Sequence, residues 1–177
     1  MRSRLFRRWP VGDMTPPHAA PAPRSRTPAP AGLLHSAVTT EPIDVARLIS
    51  VAQASGIGAL SVFLGTVRDL NDGRPVLGMA YEAYEAMAQR ELAAVAGEVC
   101  DVTPGLRVAI EHRIGTLGIG EVSVAIVAAH AHRGPALEGA RAIIESLKQR
   151  VPIWKCEHYV DGERAWVDPT KPATGAG

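Results

Sequence analysis

The chain has 177 residues, 46% of them hydrophobic and 21% charged, which suits one soluble domain with a real core. A formal charge of +1 conceals an asymmetry: residues 1–40 carry six arginines and one acid, and the remainder carries 13 basic and 17 acidic residues. The acidic remainder argues against a general phosphate-backbone binder, no apolar run approaches the ~18 residues of a membrane helix, and two cysteines cannot build a disulfide framework, which favours a reducing, cytoplasmic setting.

Residues 1–40, rich in Pro, Ala and Arg, show no helical or strand period and read as a disordered extension. They lack the apolar centre of a secretory signal. A domain follows over residues 41–168, and residues 169–177 read as a frayed tail. Pro42 to Ala54 predicts a short amphipathic helix with Pro near its first turn. GALSVFLGTV (Gly58 to Val67) is a buried strand, Asn71-Asp72-Gly73 a turn, and Val76 to Tyr84 a second strand. Glu85 to Val99 is a helix by composition, ended before Pro104-Gly105. Leu106 to Ile114 alternates, with Leu106, Val108, Ile110 and His112 on one face and Arg107, Ala109, Glu111 and Arg113 on the other. Gly115 to Gly120 is expected to be a loop, and Val122 to Ala129 a central strand. Pro135 to Gln149 is a helix with the stripe Leu137, Ala140, Ile144 and Leu147, stopped by Pro152. Ile153 to Val160 and Arg164 to Val167 form a hairpin around Asp161-Gly162. This order predicts an α+β fold, a largely antiparallel sheet with helices packed on one face.

The sequence holds no phosphate-binding Gly-rich motif, no CxxC and no HExxH, and no third ligand joins His130 and His132 at a metal-site spacing. What stands out is a set of cations at element ends. Arg68 closes the first strand, His132 and Arg133 lie between the central strand and the next helix, and Lys148 is in that helix's last turn. Each has a plainer reading: a solvated turn, a hydrogen-bonded core histidine, a complement to the helix dipole. Together they point to an anion pocket. Lys148 and Lys155 flank Val151-Pro152-Ile153-Trp154, expected to pack as a dry wall that disfavours the ammonium form. Lys155 is also placed to pair with Glu157, two residues on along one strand face.

The stretches FLGTVRDLNDGRPVLGMAYEAYEAMA, HRIGTLGIGEVSV, HAHRGPALEGAR and LKQRVPIWKCEHYVDGERAWV, from Ile57 to Val167, resemble the catalytic, large subunit of molybdopterin synthase, the MoaE family. The resemblance implies an α/β hammerhead fold. It implies a sulfurtransferase that converts cyclic pyranopterin monophosphate to molybdopterin, with no metal and no further cofactor. The sulfur donor would be a small ubiquitin-like subunit with a C-terminal Gly-Gly thiocarboxylate, in a heterotetramer built on a central homodimer. Carried over by position, Lys148 and Lys155 are the catalytic lysines. Arg68, His132 and Arg133 form the substrate-anion pocket, and Phe63 lies near the partner's tail. Thr66 and Val67, and likewise Cys156 and Glu157, lie in segments that contact substrate. Cys156 and Leu137 depart from the family's usual polar and aromatic residues, and Cys156 is a candidate oxidisable thiol beside Lys155. Two other readings are a non-catalytic module that binds and regulates a ubiquitin-like sulfur carrier, and a nucleic-acid adaptor acting through the arginine-rich extension.

Overall fold

A computed structural model describes residues 31–167. Among them the order is β1 (Gly32–Thr39), α1 (Val45–Ala52), β2 (Ala59–Thr66), β3 (Leu70–Asn71), β4 (Arg74–Ala83), α2 (Glu85–Val102), β5 (Arg107–Arg113), β6 (Gly115–Gly118), β7 (Val122–His130), α3 (Arg133–Arg150), β8 (Ile153–Tyr159) and β9 (Arg164–Val167). The strands form two sheets. The first has the order β1-β5-β7-β2, and the second β3-β4-β8-β9, with β6 also paired to β4. Every pairing is antiparallel except β1 with β5. The α+β expectation holds.

The first sheet is buried on both sides over β5 and β7, while Leu60, Val62 and Leu64 of β2, on the α1 side, stay exposed. Val108, Ile110, Val124, Ile126 and Ala128 face α2 and α3, where they meet Leu92, Val95, Ile143 and Leu147. The opposite face is nearly all alanine over β5 and β7 (Ala109, Ala125, Ala129, with Val127), and α1 lies on it through Leu48 and Ala52. The helices therefore cover both faces, not one. Small side chains let α1 approach closely, and complete burial of Leu48 stabilises by about 1.5–3 kcal/mol. The Asp44 side chain caps the helix by accepting from the Arg47 N–H at 2.9 Å. At the other end the buried Arg107 donates to the carbonyls of Ala52 (2.8 Å) and Val51 (3.2 Å). Glu111, also buried on this face, accepts from His35 at 2.7 Å and from Arg47. Thus Arg107 and Glu111, which alternation placed on a separate face of β5, serve α1 instead of solvent.

Besides the two-residue β3, two strands lie where none was expected. Residues 32–39, inside the segment read as disordered, form β1, an edge strand paired with β5 from Gly32↔Arg107 to Thr39↔Arg113. The folded unit thus starts before residue 41. Residues 1–30 and 168–177, including most of the expected tails, lie outside the described residues. Gly115–Gly118, read as loop, is β6. It can pair with β4 because Gly78 has no side chain, since a Cβ there would stand 2.9 Å from the Leu117 carbonyl oxygen. The α3 stripe is also rotated: Ala136, Gly139, Ala140, Ile143, Ile144 and Leu147 are buried, while Leu137 is 58% exposed.

Candidate active site

The lysine end of the site is built by the exit from α3. Val151 turns extended (φ −77, ψ 122), its N–H still bonded to the Leu147 carbonyl, and Pro152 prevents another turn. Val151 and Ile153 are buried in the main core and pin the helix end to the start of β8. Trp154 is not part of that wall. It is 47% exposed and lines a shallow groove with Tyr84, Met87 and Pro152. Lys148, one residue past the buried Leu147, is solvent-exposed in the last turn. The dry wall expected around it is not supplied by this chain.

Strand period then sorts β8. Ile153, Lys155, Glu157 and Tyr159 share one face, and Trp154, Cys156 and His158 the other. Glu157 is 0% exposed and accepts three hydrogen bonds: from Lys155 Nζ at 3.1 Å, Asn71 Nδ2 at 2.9 Å and the Tyr159 hydroxyl at 2.7 Å. Its carboxylate is used within the chain and is not open to a substrate. Lys155, with its side chain 24% exposed, is held as a half-buried ion pair, as the i,i+2 spacing predicted. Donation to Glu157, with burial second, raises the Tyr159 pKa. Cys156 is 6% exposed under the opposite face, which removes the ready access that an oxidisable thiol needs.

Arg68 reaches the same end of the molecule. Thr66 closes β2, Val67 packs with Met79 and Leu117, and the exposed Arg68 donates to Asn71 Oδ1 at 3.1 Å. Asn71, read from sequence only as a turn residue, therefore bridges Arg68 to Glu157 and so to Lys155. Behind this network Tyr81 stands edge-on to His112, with ring centroids 5.4 Å apart. Burial raises the Tyr81 pKa and lowers that of His112 to about 4. Phe63 is half-buried on β2, against the core shared with α2 and α3.

His132 and Arg133 lie elsewhere. His130 pairs with Ala59, at the end of β2 opposite Thr66, and His132 is the N-cap of α3. From Arg133 to Lys148 the helix rises about 22 Å. Within one chain the cations expected to share a pocket are split, with Arg68, Lys148 and Lys155 at one end and His132 and Arg133 at the other. His130 organises the far end: its Nδ1 accepts the His132 backbone N–H at 3.0 Å, which leaves Nε2–H to donate to the Pro104 carbonyl at 3.1 Å. Among the described residues no group of three or more His, Cys, Asp or Glu side chains is placed to hold a metal ion, and no helix is long and apolar enough to cross a membrane.

Residues 38–150 match the family model described as MoaE protein. The chain is 43% identical over 131 residues to the molybdopterin synthase catalytic subunit of Halalkalibacterium halodurans, covering 74% of this chain and 83% of that one. It is 41% identical over 130 residues to the protein of the same name from Bacillus subtilis, covering 73% and 82%. Among solved structures it resembles molybdopterin synthase from Staphylococcus aureus (TM-score 0.71, 34% identity, 74% of this chain and 95% of that one). It also resembles a chain in the complex of subunits 1 and 2 of the molybdopterin-converting factor from Helicobacter pylori (TM-score 0.59, 26% identity, 83% and 97%). The chain belongs to the MoaE family.

Proposed function

We propose that this chain is the catalytic subunit of a molybdopterin synthase, converting cyclic pyranopterin monophosphate to molybdopterin with sulfur delivered by a small partner subunit. The relatives' names and the two-subunit complex support the reaction and the partner. The observation within this chain that carries it is the cationic end at Arg68, Lys148 and Lys155, with Lys155 oriented by a fully buried carboxylate.

The donor is a C-terminal thiocarboxylate, an anion that must meet a phosphorylated substrate. In a site of low dielectric that approach is costly unless cations stand between the two. The sulfur attacks an oxygen-bearing carbon of the pterin side chain as its C–O bond breaks, the oxygen staying on the opened cyclic phosphate or leaving as water, and a thioester joins tail and substrate. Water then adds to the tail carbonyl, and collapse leaves the sulfur on the pterin and a carboxylate on the tail. Lys148 moves the proton at that carbonyl or captures it covalently, and Lys155 stabilises the developing charge. Phe63 belongs to the tail's path, and Thr66 and Val67 set the backbone next to Arg68. Two copies of the chain at the centre of a heterotetramer offer a way for His132 and Arg133 of one copy to serve the lysine end of the other. A single α3 cannot bring its two ends to one small molecule.

The test is a reconstitution of the full chain with cyclic pyranopterin monophosphate and a thiocarboxylated small subunit. Molybdopterin should form only with all three present. Intact binding of the small subunit with no product would replace this reading with that of a regulatory module.

A further inference from the structure

We propose that Asn71 is a positioning residue that ties the Arg68 guanidinium and the Lys155 ammonium to one buried carboxylate, so that the two cations are presented to the substrate as a unit. This rests on the reading of both as substrate-facing groups.

A carboxylate with no exposure is costly to bury unless its lone pairs are filled. Glu157 fills them unevenly. Oε2 is taken by two neutral donors, Asn71 Nδ2 and the Tyr159 hydroxyl, and Oε1 is left for Lys155. The neutral donors hold the carboxylate's rotation, and that rotation sets where the ammonium points. The Asn71 amide has a forced direction. Its NH2 must face the carboxylate and its oxygen the guanidinium, because the reverse would set acceptor against acceptor and donor against donor. Neither Asp nor Leu can play both parts. The backbone is arranged to the same end: Asn71 closes the two-residue β3, Asn71 pairs with Arg74, and the turn passes through Asp72 (φ 47) and Gly73 (φ 77). Arg74 then lies 3.7 Å over the Tyr159 ring, and its ion pairs to Asp161 and Glu163 steady that ring while its hydroxyl reaches Glu157.

A merely structural network would respond differently from a positioning one. The full chain would be assayed in single turnovers with cyclic pyranopterin monophosphate and the thiocarboxylated small subunit, for the parent, Asn71→Asp, Asn71→Ala, Tyr159→Phe, Lys155→Ala and the double variant Asn71→Ala/Lys155→Ala. Asn71→Asp, isosteric but repelling Glu157, should slow the saturated rate about ten-fold or more, with a smaller change in the substrate concentration needed for half-saturation. In the Lys155→Ala background, Asn71→Ala should cost less than two-fold further, because the group it acts through is gone. Tyr159→Phe keeps the stack with Arg74 and removes one hydroxyl. It should lose rate in the same sense, and serves if the Asn71 variants fold poorly. Parental rates in Asn71→Asp and Tyr159→Phe, or losses that multiply fully with Lys155→Ala, overturn the proposal while the site stands. A parental rate in Lys155→Ala would instead overturn the site reading.

Discussion

His112 is held neutral inside the fold, and acid should expose the cost. Its ring is packed edge-on to Tyr81 and donates from Nδ1 to the Arg113 carbonyl at 3.0 Å, and burial lowers its pKa from 6.5 to about 4. Between those values the unfolded chain binds a proton that the folded chain refuses. The contribution is therefore fully present above the unfolded pKa and is lost as pH falls through the interval. Integrated from pH 7 to pH 5, it comes to about 2 kcal/mol of lost stability. At a typical urea slope for a small domain this lowers the unfolding midpoint by about 1 M. The measurement is urea unfolding at several pH values and fixed protein concentration, for the parent and for His112→Gln, which keeps a donor but does not titrate. The variant should start less stable yet show a slope between pH 7 and 5 flatter than the parent's by that amount. Identical slopes would mean that His112 is not the buried neutral group described.

Other consequences are as direct. Arg107→Met leaves the Val51 and Ala52 carbonyls without their donor at the end of α1 and should cost about 2–3 kcal/mol in chemical denaturation; a loss below about 0.5 would contradict the capping role. A Cβ at Gly58 would stand 2.5 Å from the Ala131 carbonyl oxygen, so Gly58→Ala should cost about 1–3 kcal/mol in thermal unfolding and displace the turn that carries His132. An unchanged melting temperature would show that the turn yields freely. Cys156 should be alkylated by iodoacetamide only as the protein unfolds, and rapid labelling of the native chain would contradict its burial.

Much of this was legible in the residues. The apolar runs and breakers located β2, β7, α2 and the β8–β9 hairpin, and the i,i+2 spacing foretold the Lys155–Glu157 pair. The failures share a cause: each depended on a neighbour distant in sequence. β1 carries no alternation because all eight of its residues are half-buried, and Pro and Arg around it dominate the composition. β6 depends on a missing Cβ at Gly78, some forty positions away. Arg107 and Glu111 look like a solvent face until α1 covers them. Trp154 has a core residue's composition, but it stands at the start of β8 beside the exposed Tyr84 and Met87 and nothing among the described residues covers it, whereas Cys156 two residues on along the same face is buried. Arg68, His132, Arg133 and Lys148 looked like one pocket because each stands at the end of an element, yet the 18-residue α3 holds His132 and Arg133 apart from Lys148. Asn71 matched a turn signal, and nothing local says that its amide reaches Glu157 across 86 positions.

The assignment of sulfur transfer to the cationic end of α3 and β8 stands on Lys148. Its most direct test is the single-turnover yield of molybdopterin from Lys148→Ala, beside the parent and with small-subunit binding verified for both. Product from the parent and almost none from the variant is the expected result. Equal yields would place the chemistry elsewhere in the assembly.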